Sequence, residues 1–440
     1  VRETSDAYVV SIDVRTGEGK RVAAEAKLAK KTTRLRDNRV LKVRFVDVGQ
    51  GDGAIVETPG GQIVLIDGGE GEEFRRYFFT AFAYRLKGKP VPCAAIVMTH
   101  GDSDHYKGLL KLFSDSPLIT SERVFHNGIV RVADGSDAKK VFGASKQVGS
   151  KWYLTALQND LTKLPANQKL TEGFREMADV LPNLKAAGKK LKVQRLEYGQ
   201  DDAFDFLAKE NINVRVLGPI VEEVSGKAAL PILHKPRSRS YSDSHTINGH
   251  SIVLKLTYGN VRFLFGADLN EESEERLVAK AREEGDSLAA EILKVPHHGA
   301  EDFSTHIFEA IRPVVSVVSS GDESASKDYI HPRAGLIGAL GKYSRAGVER
   351  PLIYVSEMVA FFARLSKKDA GELDPFRLYR KTQFGIVHVR TDGERVFVGT
   401  HSARDDRKES YVFRVDTQGN VTFEAVSKVS SMKAADETEE

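Results

Sequence analysis

Between Thr99 and His105 the chain reads Thr-His-Gly-Asp-Ser-Asp-His, which puts four metal-competent side chains into six positions, His100, Asp102, Asp104 and His105. The segment follows an apolar run, Ala94-Ala95-Ile96-Val97-Met98, that predicts a buried strand. Two imidazoles and two carboxylates on one loop repel or stay poorly solvated unless a cation accepts them as ligands. Turn and cap chemistry explains Asp and Ser at such a place but does not call for His at both ends. The spacing predicts a metal site, and the rest of the fold must deliver the remaining ligands to it.

Other strand ends carry similar residues. Leu41–Val48 alternates like a half-buried strand, Gly49-Gln50-Gly51-Asp52-Gly53 is a turn, and Ala54–Thr58 with Gln62–Asp67 forms a hairpin closed by Pro59-Gly60-Gly61. Helices are predicted around Glu72–Leu86, Tyr106–Phe113 and Glu271–Lys280. Beyond them lie a strand at Ile212–Leu217 and a hairpin Ser251–Leu256 with Val261–Phe265, followed by Gly266-Ala267-Asp268. Glu291–Val295 runs into Pro296-His297-His298-Gly299, and Val314–Val318 precedes a loop with His331-Pro332. Loops at one edge of a layered α/β fold converge, so Asp67, the 100–105 loop, Asp268 and the pair His297/His298 are expected to meet.

Composition narrows the class. With 440 residues, 41% hydrophobic and 29% charged, the chain suits one large globular domain with accessories. No apolar run approaches the roughly 18–20 residues that span a bilayer, and Val1-Arg-Glu-Thr-Ser lacks the apolar centre of a secretion signal, so no membrane contact and a cytoplasmic location are expected. The single cysteine, Cys93, excludes an internal disulfide and reads as a small core residue. Net charge is only +3, so the local distribution matters more. Basic residues cluster between Arg15 and Arg44, and again at His234-Lys235-Pro236-Arg237-Ser238-Arg239. Lys235, Arg237 and Arg239 are candidate contacts for a polyanion such as nucleic acid.

Residues 1–40 read as a basic extension that begins as a strand and turns helical, 41–355 as the main domain, 115–210 as a mainly helical insertion over one rim of the site. An accessory segment is expected over 356–430 and an acidic tail over 431–440. The similar patterns Tyr8–Val14 and Tyr411–Val415 suggest that the two ends pair into one small sheet. Fingerprints of serine nucleophile elbows, P-loops and dinucleotide folds are not evident, which leaves metal chemistry as the simplest route to hydrolysis.

The motifs His100-Gly101-Asp102-Ser103-Asp104-His105, Asp67-Gly68-Gly69, Gly266-Ala267-Asp268 and Lys294-Val295-Pro296-His297-His298-Gly299 resemble those of the metallo-β-lactamase superfamily. The nearest branch by motif is the soluble hydrolase domain of the bacterial competence protein ComEC, which also has Asp at the position of Asp102. Asp47-Val48-Gly49-Gln50-Gly51-Asp52, Asn248, Ser251–Leu254, His331-Pro332 and a weaker echo at Gly385–Val389 add to the likeness.

The resemblance implies an αββα sandwich in the α/β class and a centre of two divalent metal ions, zinc or manganese. His100 and Asp102 would hold the first ion, and Asp104 and His105 the second. Asp268 would bridge them, and either His297 or His298 would complete the second position. Asp67, Asn248 and His250 would support the ligands, with His245 or His250 standing in for a His that many members carry near Asn248. Asp104 and His331 would act in catalysis. The implied activity is a metal-dependent phosphodiesterase or nuclease using hydroxide formed on the metal. A small-molecule hydrolase acting on a cyclic nucleotide, thioester or lactam, and a non-catalytic binding module, are the alternatives.

Overall fold

The computed structural model describes residues 2–15, 21–29, 39–114, 116–133, 135, 137–165, 168–186, 188–236, 238–321, 331–345, 348, 351–358, 382–383, 385–401 and 410–426. Val1–Arg39 forms one compact unit and Val40–Glu440 a second.

In the first unit, Arg2–Glu3 and Arg21–Ala29 flank Ala7–Arg15 in an antiparallel three-stranded sheet. The alanine-rich stretch read as the start of a helix is therefore a strand. Val22, Ala24, Ala26 and Leu28 recur at period two, and pairing along the whole length of Ala7–Arg15, from Ala7 opposite Ala29 to Arg15 opposite Arg21, overrides helical propensity. The expected pairing of Tyr8–Val14 with Tyr411–Val415 does not form: each segment pairs within its own unit.

The second unit is an αββα sandwich. Its larger sheet runs in the order Lys192–Arg195, Arg123–His126, Ala95–Met98, Ile63–Ile66, Ala54–Glu57, Leu41–Phe45, Ile386–Thr391, Arg395–His401, Ser410–Val415, Val421–Val426. The facing sheet runs Ile212–Gly218, Val253–Tyr258, Val261–Phe265, Ile292–Lys294, Val315–Val318, Leu352–Val355. Alternation along the strands assigns each side chain to a layer. Val43, Val56 and Val97 meet Val214, Leu256 and Phe263 between the sheets. Ile55, Leu65 and Ile96 turn outward onto Phe74, Phe78 and Phe82 of the helix Glu73–Leu86. On the far side, Leu264 and Leu293 pack on Leu277, Phe308 and Leu340, carried by three further helices.

Two sequence expectations change here. Ile386–Thr391 pairs antiparallel with Leu41–Phe45, so the strands after residue 385 extend the main sheet rather than form an accessory segment. The 115–210 region is not mainly helical. It contributes two strands to the main sheet, Arg123–His126 and Lys192–Arg195, and a hairpin of Ser145–Val148 with Lys151–Leu154. Its longest α-helix among the described residues is Glu172–Val180. A four-residue strand in parallel pairing shows no alternation to read, and Pro165, Pro182 and Gly188 interrupt the Lys- and Ala-rich stretches.

The helix Glu271–Glu284 is capped by Asn270, whose side chain accepts from Ser273 N and donates from Nδ2 to the His245 carbonyl at 2.8 Å. Asn270→Ala is expected to cost about 1 kcal/mol, the usual value of such a cap. A urea midpoint unchanged within error would show that the cap contributes nothing.

Candidate metal centre

The loops that leave the parallel strands at one edge of the sandwich carry the polar clusters. Asp67 follows Ile63–Ile66, His100 to His105 follow Ala95–Met98, Asp268 follows Val261–Phe265, and His297 and His298 follow Ile292–Lys294. Four non-glycine residues there adopt positive φ: Asp67 (54°), Ala267 (45°), His297 (47°) and His298 (52°). Each such backbone costs on the order of 1–3 kcal/mol and persists only where its surroundings impose it. Gly51 answers a tighter constraint. At φ 118° a Cβ on it would lie 2.0 Å from the Asp104 carbonyl oxygen, so only glycine lets the 49–53 loop close onto the metal-motif loop.

Asp52, His105, Asp268 and His298 converge: each offers a donor atom, and these atoms lie within 4.8 Å of one another, all buried. His105 Nε2 is 3.3 Å from His298 Nε2 and 3.2 Å from Asp268 Oδ1, and His298 Nε2 is 3.1 Å from Asp268 Oδ2. The second nitrogen of each ring is engaged elsewhere. His105 Nδ1 donates to Asp67 Oδ2 at 2.9 Å, and His298 Nδ1 to the Ser319 carbonyl at 3.0 Å. In that tautomer both Nε2 lone pairs face the same carboxylate, a set complementary to a cation.

The charges point the same way. Burial opposes an imidazolium at His105 and His298, yet Asp268, with Asp67 at the first ring and Asp52 at the second, raises both pKa values well above the ordinary range. Burial likewise opposes charge on Asp268, and the two rings hold it well below the usual carboxylate range. The protein alone thus keeps protons on two rings where one divalent ion would supply equal charge, and metal binding would release them.

Asp67 lies beneath this cluster, fully buried, accepting from Thr99 N at 2.8 Å and Thr99 Oγ1 at 2.6 Å as well as from His105. It fixes the ring of His105. Asp67→Asn removes the charge that orients that ring and is expected to weaken metal affinity about 10–100-fold. Calorimetric titration with Mn²⁺ or Zn²⁺ measures it, and an unchanged affinity would dismiss the orienting role.

Asp104, the second residue of the helix Ser103–Leu110, reaches 3.5 Å from His298 Nε2. Burial would raise its pKa, but the bond from His298 and the charge of His105 push it below the ordinary value. His100 is buried, with Nδ1 3.1 Å from Thr99 Oγ1 and 3.3 Å from Ser251 Oγ. Its Nε2 has no hydrogen-bond partner and lies 4.0 Å from Asp268 Oδ2. Burial, reinforced by His105, lowers its pKa to about 3, so it is a neutral ring.

The remaining expected residues divide. Of the histidine pair, His298 is at the cluster, and His297 Nε2 is 3.2 Å from the Asn248 amide. Asp102 has Arg131 Nη2 3.1 Å from its Oδ1, and burial, opposed by the charge of Arg131, raises its pKa to about 6. His250 Nε2 is 2.7 Å from the Pro231 carbonyl, and the ring lines a separate crevice with Gly218, Pro219 and Arg276. The expectation that His250 supports the ligands is therefore corrected: it caps the end of the helix Asp243–Gly249 and turns toward the Pro231 strand. His245 pairs with Asp302 at 3.1 Å and does not replace a ligand either. His331 is buried, its ring centroid 6.4 Å from that of His297, and burial with the charge of His298 lowers its pKa to about 4.

Asp52 was not singled out as a donor by its sequence, where it sits in a glycine-rich turn. It forms an ion pair with Lys294 and lies 3.3 Å from His298 Nδ1. Its signals were a charged residue between two glycines, which a turn explains equally well, and its place at the end of the Asp47–Asp52 motif, to which no ligand role was attached. Lys235 and Arg239 line a cavity of about 570 Å³ together with His245, Asn270, Glu271, Glu272 and Asp302, so acids share it with bases. Arg237 lies outside the described residues, as do Lys30, Lys31, Arg34 and Arg36 of the first basic cluster.

No helix among the described residues is long and apolar enough to cross a membrane. No curated protein matches the sequence. Among solved structures, a metallo beta lactamase from Hirschia baltica aligns at 13% identity over 37% of this chain and 90% of its own, with a TM-score of 0.15. A long form RNase Z from yeast aligns at 10% identity over 87% of this chain and 60% of its own, with a TM-score of 0.28. A family profile described as the metallo-beta-lactamase superfamily matches residues 46–119, the segment that carries Asp52, Asp67, His100, Asp102, Asp104 and His105. Over that segment the chain resembles the metallo-beta-lactamase superfamily.

Proposed function

We propose that this domain is a metal-dependent phosphodiesterase acting on nucleic acid, akin in chemistry to the ComEC hydrolase domain whose Asp-for-His motif it resembles at Asp102. The observation that carries the reading is the convergence of His105, Asp268, His298 and Asp52 from four separate loops onto one buried point. A bound divalent cation supplies Lewis acidity, which makes a nucleophile of water near neutral pH and polarises a phosphoryl oxygen. His105, Asp268 and His298 would hold it, with zinc and manganese both compatible with a mixed nitrogen and oxygen donor set.

The chain's own groups divide the remaining work. Asp104, anionic and at the rim of the cluster, orients the attacking water. His331, held neutral, would relay a proton to the leaving alkoxide, giving one from one ring nitrogen as the other takes one from solvent. Lys235 and Arg239 attract the sugar-phosphate backbone toward the site.

Stripping the protein with a chelator and restoring Mn²⁺ or Zn²⁺ tests this against DNA, RNA and a small phosphodiester. Cleavage that depends on the metal and disappears in Asp104→Ala supports the proposal, and a metal-loaded protein inert toward every phosphodiester overturns it. A small substrate is the second reading. It is favoured by the cavity at Lys235, whose Glu271, Glu272 and Asp302 suit a compact ligand bearing both signs of charge better than a polyanion. Preference for the small diester over the polymers would select it.

A further inference from the structure

A two-ion centre needs a second ligand set beside the first, and the side chains placed there are otherwise engaged. Both oxygens of Asp102 have donors. Arg131 Nη2 is 3.1 Å from Oδ1, and the amide of Asn248, oriented so that its oxygen accepts from His297 Nε2, donates to Oδ2 at 2.9 Å and to the Ser244 carbonyl at 3.2 Å. Asn248 is thus committed to three partners. With Asp104 assigned to the attacking water, what remains is one imidazole nitrogen, His100 Nε2, and a share of Asp268 at 4.0 Å. Two donors do not make a divalent-ion site, and the described residues contain a single cluster with the donor spacing for one.

The positive charge that a second ion would bring is present in another form. Arg131 follows the strand Arg123–His126, and its carbonyl accepts from Thr171 N at the start of the helix Glu172–Val180, so the insertion anchors its backbone. The guanidinium is about a quarter exposed, and its buried Nε has no hydrogen-bond partner. A planar group with five donors and a permanent charge matches a phosphoryl or carboxylate oxygen, and it needs neither ligands nor exchange with solvent.

Resting on the hydrolase reading, we propose that this chain works with one metal ion, held by His105, Asp268 and His298, and that the Arg131 guanidinium takes the electrophilic place of the second ion. Arg131 is then a substrate-contacting residue, held in line by Asp102 and Asn248. Asp102 is a positioning residue for that arginine and not a ligand.

Manganese loading followed by dialysis tests this through stoichiometry and spin coupling. The expected result is one Mn²⁺ per chain with the six-line spectrum of an isolated ion. Arg131→Ala is expected to retain that one ion, to lose about 10²–10³-fold in kcat, and to recover part of it when guanidinium is added at millimolar concentration. Two ions per chain with an exchange-coupled spectrum overturn the proposal and leave the hydrolase reading standing. Absence of any bound ion removes both. An Arg131→Ala protein that keeps full activity, or that guanidinium fails to restore, overturns the role given to the arginine.

Discussion

Asp268→Ala is expected to abolish tight metal binding and to lower hydrolysis by about 10³-fold or more. The estimate follows from its position: Asp268 Oδ1 and Oδ2 stand 3.2 and 3.1 Å from the nitrogens of His105 and His298, and among the described residues no other carboxylate faces both rings within those distances. Several kcal/mol of charge stabilisation would depend on the ion that it would hold, at about 1.4 kcal/mol per tenfold in rate. Alanine also removes the counter-charge that keeps both rings protonated in the protein alone, so their pKa values should fall toward the neutral form favoured by burial. Metal analysis together with imidazole proton spectra read both effects. A variant that retains its ion and turnover would place the ion elsewhere.

The second large effect concerns stability. Glu291 is fully buried, its Oε1 is 2.5 Å from Arg262 Nη2 and 2.7 Å from Arg345 Nη1, and its Oε2 accepts from Arg262 N at 2.7 Å. Arg345 in turn donates to the Gly419 carbonyl, so this carboxylate joins two strands of the smaller sheet to the last turn of the larger one. Glu291→Ala is expected to cost about 3–5 kcal/mol, because two guanidiniums lose their partner in a mostly dry setting. Urea unfolding should show a lower midpoint at unchanged slope. A loss below about 1 kcal/mol would mean that water reaches the arginines and replaces the carboxylate. Burial pushes the Glu291 pKa up, but Arg262 and Arg345 hold it below the ordinary glutamate value. The group therefore binds more protons unfolded than folded, and its contribution is complete above the unfolded glutamate pKa and fades as pH falls through the depressed folded value.

The clusters that announced themselves in the chain did so because several groups of one chemistry stood close together. His100, Asp102, Asp104 and His105 are adjacent in sequence, and Asp268 and His298 directly follow strands with clear apolar runs. Asp52 and Arg131 lacked such context. Asp52 becomes a donor only because the 49–53 loop folds back onto Asp104, a contact that depends on the φ of Gly51 and on no local pattern. Arg131 meets Asp102 through a crossover set by tertiary packing. Secondary structure followed the same division. Glu73–Leu86 and Val253–Tyr258 were legible from periodicity, whereas Arg21–Ala29 and Arg123–His126 take their conformation from the strands beside them.

The pairing of Leu41 with Thr391 has a consequence for biosynthesis. The strand that begins the sandwich waits for a neighbour that leaves the ribosome after nearly the entire chain has been made. Until then Leu41–Phe45 presents one open backbone edge, for which foreign strands compete. Nascent chains halted near residue 355 should therefore engage chaperones longer than the released protein does.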